Sequence, residues 1–176
     1  VAVEDDLGAI FSRKMRVSAA GVLERRVEAS VAECAALAAA FGLPAVLRLA
    51  GEFVLTPEAG GVFAATVRLA ARVRQVCVVT LEEFEVELRE EEELRFVPAW
   101  AVKEGAEVEL DFETLEGPDE IIYGGELIDL GAALAEQLAL ALDPYPRKPG
   151  AALAAEALDE EAKPLAGLAK WKGPAV

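Results

Sequence analysis

Between Ala45 and Pro98, apolar and polar residues alternate with the two-residue period of a β-strand, and two flanking segments carry the longer period of a helix. Residues 45–56 hold Val46, Leu47, Leu49, Phe53, Val54 and Leu55, and run into the turn residues Pro57-Glu58-Ala59-Gly60-Gly61. A second extended run covers 62–80, so the two together predict a β-hairpin. In that run Val67, Leu69, Ala71 and Val73 share one parity, and Thr66, Arg68, Ala70, Arg72 and Arg74 share the other. This pattern predicts a half-buried strand with a cationic outer stripe. Residues 81–98 alternate as well, with Phe84, Val86 and Leu88 on one side and Glu85, Glu87 and Arg89 on the other. Glu90 to Glu93 reads as a charged turn, after which Leu94, Phe96 and Val97 resume a strand. Shorter extended segments are expected at 11–17, 22–28 and 108–112, and at Ile121-Ile122-Tyr123 after the turn Gly117-Pro118-Asp119.

The first helix is expected from Ser30, an N-cap whose capping-box partner is Glu33, through Phe41, with Gly42 as its left-handed C-terminal cap. Val31, Leu37 and Phe41 are assigned to its core side, and Cys34 falls at the same spacing. The second helix opens at Asp129 after a short extended run ending at Ile128. Leu130, Leu134, Leu138, Ala141 and Leu142 form its apolar stripe, Leu140 widens it, and Pro144 and Pro146 stop it. The order β-β-α, several strands, then α predicts an α+β fold. The expectation is a single domain over 10–148, mainly antiparallel sheet or partial barrel with two main helices. It is flanked by a flexible acidic segment, 1–9, and a mobile C-terminal tail, 149–176, with a short amphipathic stretch from Pro164.

The chain has 176 residues, enough for one well-buried core. Its formal net charge of −15 opposes broad binding to phosphate backbones or anionic membranes and suits a basic partner. Hydrophobic content of 54% separates it from disordered acidic proteins. No apolar run approaches the ~20 residues of a membrane span. The opening VAVEDD lacks the basic segment and apolar core of a secretory signal, and nothing asks for the distant Cys34 and Cys77 to pair, so a reducing, cytoplasmic location is expected. Histidine is absent, which removes the commonest general base and metal ligand. No enzyme activity, cofactor, metal or small-molecule substrate is therefore expected; a cysteine- or carboxylate-dependent enzyme is a distant alternative.

The chemistry-bearing residues each carry two readings. Residues 81–93 hold eight glutamates and one arginine. They read as a solvated edge that resists strand-to-strand aggregation, or as a docking surface for a basic protein, with Glu90, Glu91, Glu92 and Glu93 as candidates. Arg68, Arg72 and Arg74 read as RNA contacts or, preferably, as cross-strand partners of Glu85 and Glu87. Arg13, Lys14 and Arg16, with fewer acidic neighbours in sequence, and Arg147 and Lys148 are the better candidates for RNA contact. Trp100 and Trp171 are too isolated to read as stacking platforms. Cys77 reads as a buried small hydrophobe, with a redox pairing to Cys34 as the alternative. Asp129 and Glu136 lie near one face of one helix, and the capping role of Asp129 accounts for it without catalysis.

The segment IDLGAALAEQLALALDPYPRKPG resembles the C-terminal motif of the YceD family, the large ribosomal RNA subunit accumulation proteins. Its family-motif positions are Asp129, Leu130, Glu136, Pro144 and Pro146. Phe11-Ser12-Arg13 resembles the family's opening, and residues 30–43, ending FGL, its first helix. Cys77-Val-Val-Thr-Leu-Glu is similar to its central cysteine strand, Leu94-Arg-Phe-Val-Pro to the strand after it, and Pro164-Leu-Ala-Gly-Leu-Ala-Lys to its closing motif. The order and spacing of these motifs cover nearly the whole chain in an alphaproteobacterial-type version. The resemblance implies a cytosolic, non-catalytic factor needed for normal 23S rRNA levels, whose gene tends to neighbour one for a large-subunit ribosomal protein. Some members carry Cys-x-x-Cys; here Thr80 holds the second position, so no metal or disulfide role is implied. The expected partners are a basic ribosomal protein, a 23S rRNA precursor, or both, with escort of the protein as the leading mechanism and direct 23S rRNA binding as the alternative.

Overall fold

The computed structural model describes residues 4–17, 21–102 and 117–152. In chain order these hold α1 (Glu4–Ile10), β1 (Lys14–Arg16), β2 (Leu23–Glu28), α2 (Val31–Ala40), β3 (Ala45–Pro57), β4 (Phe63–Val76), β5 (Glu83–Pro98), β6 (Asp119–Tyr123), β7 (Leu127–Asp129) and α3 (Leu130–Ala141). The fold is α+β. A five-stranded sheet runs β2-β3-β4-β5-β6 and is open, not closed into a barrel; a second, two-stranded sheet joins β1 to β7. All pairings are antiparallel except β5 with β6.

The β3–β4 hairpin is closed by the Glu58 N–H donating to the Val62 carbonyl, and Gly60 and Gly61 supply the positive φ that this turn needs. Alternation along β4 holds as the sequence predicts. Val67, Leu69, Ala71 and Val73 are buried against the helices, while Arg68, Ala70 and Arg72 are exposed on the opposite face. Leu37 of α2, Leu134 and Leu138 of α3, and Leu49, Phe53 and Leu55 of β3 share one core with them. Helix α3 lies close to the sheet because Gly51 of β3 leaves room for it. A Cβ there would sit 2.6 Å from a terminal carbon of Leu134, which is itself fully buried.

Several expectations are corrected. Within the segment 1–9, expected to be loose, residues from Glu4 onward belong to α1, and Leu7 is only 5% exposed in the common core. The extended segment 11–17 shrinks to β1, because Phe11 closes α1 by donating its N–H to the Leu7 carbonyl and is fully buried. Val31 is 89% exposed: it stands directly after the N-cap, off the stripe of Cys34, Leu37 and Ala38 that meets the sheet. Leu140 is 65% exposed, off the stripe that runs through Leu130, Leu134 and Leu138 to the partly buried Leu142. The run 62–80 stops being a strand at Val76 and turns at residues 77–80. The strand expected at 108–112, the tail beyond 152 and Trp171 lie outside the described residues.

Candidate functional site

The four consecutive glutamates do not make a turn. They lie inside β5, whose pairing with β4 runs unbroken from Val76 opposite Glu83 to Phe63 opposite Phe96. Glu90 stands opposite Leu69 and Glu92 opposite Val67, so both share the helix-covered face with those residues; Glu91 stands opposite Arg68 and Glu93 opposite Thr66 on the outer face. The four candidate docking glutamates therefore stand as two pairs on opposite faces of one strand. The edge reading keeps its geometry: among the described residues no strand pairs with the far edge of β5 over 83–93, since β6 joins it only from Leu94 onward.

On the outer face the charges form a ladder. Arg26, Glu52, Arg68 and Glu91 stand in register across β2, β3, β4 and β5. Arg68 bonds Glu91 at 2.6 Å, and Arg72 and Arg74 both reach Glu85, whose carboxyl they hold below the usual range, Arg74 contributing first. The preferred reading of this stripe as cross-strand pairing holds, with Glu91 in the place expected for Glu87, which pairs with Arg89. On the inner face, Glu90, Glu92 and Asp119 rim a cavity of about 380 Å³ floored by Leu69 and closed by Gln137 and Leu140 of α3. None of these three carboxylates has an ion pair among the described residues, whereas Glu91, between two of them in sequence, has one.

The candidate cations are not gathered in one place. Arg13 is a strut: its guanidinium grips both oxygens of Glu33 at 2.7 and 2.9 Å, donates to the carbonyls of Ser12 and Glu28, and lies 4.8 Å over the Phe11 ring. Its apparent lack of acidic neighbours in sequence is thus corrected by its neighbours in space. Arg13 and the Ser30 backbone N–H together pull Glu33 down to about 2. Arg16 pairs with Glu126 at 3.2 Å and Lys148 with Glu82 at 2.9 Å. Lys14 and Arg147 are exposed, without an ion pair among the described residues. Arg13, Lys14 and Arg16 stand by the N-terminal end of α3, and Arg147 and Lys148 beyond its C-terminal end, roughly 18 Å of helix away.

The remaining motif residues meet in pairs from distant parts of the chain. Asp129 caps α3 by accepting from the N–H groups of Gly131 and Ala132, and its carboxylate also accepts from the Ser12 hydroxyl and the Arg13 N–H. Phe11-Ser12-Arg13 is thereby bound to Asp129-Leu130-Gly131, and the backbone carbonyl of Arg13 accepts from the N–H of Leu130, which is buried. At the other end of α3, the carbonyl of Pro146 accepts from the Val78 N–H and that of Asp143 from Gln75. The Asp143-Pro144-Tyr145-Pro146 stop is thereby bound to the cysteine turn. A family model described as large ribosomal RNA subunit accumulation protein YceD matches residues 65–170.

This chain belongs to the YceD family. No curated protein and no solved structure matches it. The YceD match runs from β4 through the cysteine turn and α3, so it contains the Val78–Pro146 and Gln75–Asp143 contacts and Asp129 itself, while the Ser12 and Arg13 partners of Asp129 precede it. Membership gives the chain a part in accumulation of the large ribosomal subunit's RNA. Among the described residues no helix is long and apolar enough to cross a membrane.

Within this YceD chain Cys77 and Cys34 are both buried and unpaired to one another. A hydrogen bond from the Thr80 side chain, helped by backbone N–H groups of Lys148, Thr80 and Val79, pulls the Cys77 thiol down to about 7. Thr80, standing where a second cysteine would complete Cys-x-x-Cys, instead donates to the sulfur. Burial pushes the Cys34 thiol up. Glu136, on α3, lines a second cavity with Phe96, Ile121 and Tyr123. Sequence reasoning singled out Ser30, Glu33 and Asp129 as caps but missed that Glu33 and Asp129 also hold the Arg13 segment. It missed Gly131 and Gly51 altogether, because a close backbone approach leaves no periodic signal in one chain.

Proposed function

We propose that this chain is a non-catalytic cytoplasmic factor in large ribosomal subunit biogenesis that holds or delivers a basic ribosomal protein. The observation that carries this reading is the distribution of unmatched charge. Arg13, Arg16, Arg26, Arg48, Arg68, Arg72, Arg74, Arg89, Arg95 and Lys148 are each within ion-pair distance of a glutamate. Glu90, Glu92 and Glu93, on the strand edge, have no such partner among the described residues. The excess negative charge is thus available beside a strand edge that is unpaired among the described residues, where a cationic protein gains Coulombic attraction and a phosphate backbone is repelled. Direct 23S rRNA binding would draw on Arg13, Lys14, Arg16 and Arg147; Arg13 and Arg16 are already paired with glutamates, and Lys14 and Arg147, exposed without an ion pair among the described residues, stand at opposite ends of α3.

The test presents the purified protein with isolated basic large-subunit ribosomal proteins and with 23S rRNA fragments at two salt concentrations. The escort reading expects binding to at least one ribosomal protein that weakens as salt rises. Tight, specific binding to 23S fragments with no affinity for any free ribosomal protein overturns it.

A further inference from the structure

We infer that the inner-face cavity between β5, β6 and α3 is the specific seat for a lysine or arginine of the basic partner, with an aliphatic side chain of the same segment beside it. The inference rests on the escort reading and sharpens it, since only one side of the strand would then select the partner.

Register brings the anionic groups together. Glu90 and Glu92 are two positions apart on one face, about 7 Å along the strand. Asp119 stands opposite Leu94 in the adjoining parallel strand, and therefore on the same face. Three like charges around one cavity repel one another, and a bound cation relieves that repulsion.

An independent feature points into the same cavity. Gln137 is only 5% exposed, yet its side-chain amide has no hydrogen-bond partner among the described residues. No fully buried side-chain polar atom goes unpaired there, so this amide retains access to the cavity it lines. Its carbonyl is an acceptor ready for an ammonium or guanidinium donor. Leu140, exposed at the rim, and Leu69, on the floor, offer apolar surface to the stem of a long cation or to a neighbouring aliphatic group. The outer face lacks this combination: Glu91 is already neutralised by Arg68.

The test uses the full chain and a fluorescent peptide of alternating lysine and leucine, with an all-lysine peptide as comparison. A variant carrying Glu90→Gln, Glu92→Gln and Asp119→Asn is set against one carrying Glu91→Gln and Glu93→Gln, both checked for native circular dichroism. The inner-face variant is expected to bind the mixed peptide about tenfold more weakly, and the outer-face variant to stay within about twofold. Gln137→Leu in the otherwise native chain is expected to weaken it about threefold. The mixed peptide should bind more tightly than the all-lysine peptide. Equal losses in the two glutamate variants, or none, overturn the inference.

The chain's own segment Lys163-Pro-Leu-Ala-Gly-Leu-Ala-Lys-Trp-Lys carries similar chemistry. If Lys170→Gln with Lys172→Gln raises peptide affinity about tenfold, that segment is the occupant and the partner assignment is overturned. The two readings fail separately. A ribosomal protein that binds the inner-face variant as well as the native chain removes this seat and leaves the escort reading standing. Peptide binding at the seat with no ribosomal protein bound removes the escort reading instead.

Discussion

The carboxylate of Asp129 accepts the backbone N–H of Arg13 at 2.7 Å, tying together residues 116 positions apart. The same oxygen accepts from Gly131 and Ala132 at the first turn of α3, and the other accepts from the Ser12 hydroxyl. One side chain therefore both starts a helix and fastens the N-terminal segment across it. Replacing it with alanine removes a cap, worth about 1 kcal/mol, and strands a half-buried backbone donor, worth about 1–3 kcal/mol. Asp129→Ala should lower the unfolding free energy by roughly 2–4 kcal/mol in urea titration. A loss no larger than that of an isolated cap would mean that the Arg13 segment is not held by this contact.

Gly131 sits beneath that fastening. A Cβ there would meet the Arg13 nitrogen and the Phe11 carbonyl oxygen, both at 2.8 Å, and both atoms are backbone. Alanine in a helix interior is ordinarily better than glycine by about 1 kcal/mol. Here the sign reverses: Gly131→Ala should destabilise by roughly 1–3 kcal/mol, because the crossing segment must lift. Thermal unfolding followed by circular dichroism reads the sign directly, and a raised midpoint contradicts the close crossing.

Much of the sheet is legible in the sequence because β4 carries its apolar residues on one parity from Phe63 to Val73. The capping box at Ser30 and Glu33 and the positive φ of Gly42 follow from local chemistry and are found as expected. Glu90 to Glu93 misleads because glutamate is poor in strands by propensity, and here pairing to β4 overrides it. Phe84, Val86, Leu88, Leu94 and Phe96 nevertheless all keep even numbering. A turn inside the run would have had no reason to preserve that parity, so the unbroken strand left a signal. The helical Glu4–Ile10 has no such signal, since Leu7 needs α3 to make burial worthwhile. The cavity at Glu90, Glu92 and Asp119 depends on a parallel pairing that local periodicity does not encode.

The Arg13–Glu33 pair sets an acid limit on this corner of the fold. Glu33 is held at about 2 first by the Arg13 hydrogen bond and then by the Ser30 N–H, against an ordinary value of 4.5. A carboxyl whose folded value lies below its unfolded value stabilises the fold above the unfolded value. That contribution is lost as pH falls from about 4.5 through about 2. Since Arg13 is more than a third exposed, solvent screening keeps the effect small. Glu33→Gln should therefore be less stable than the native chain at pH 6, and the gap should close toward pH 2. A gap independent of pH would assign the cost to lost capping geometry alone.

Cys77 offers a reading of its turn that needs no ligand. With its thiol held near 7, it should be alkylated by iodoacetamide with a pH midpoint near 7, even though the buried sulfur makes the reaction slow. The midpoint survives slow opening, because the reactive open thiolate remains proportional to the closed one. Thr80→Val removes the Thr80 side-chain hydrogen bond, the main influence on this thiol, and should move the midpoint up toward the ordinary thiol value of about 8.5. Cys34, whose thiol is pushed the other way by burial, should remain unlabelled when Cys77 is half modified, which peptide mass mapping distinguishes. A midpoint that Thr80→Val leaves unchanged would show that the backbone N–H groups of Lys148, Thr80 and Val79 are sufficient. The threonine at this position would then be packing against the sulfur without tuning it.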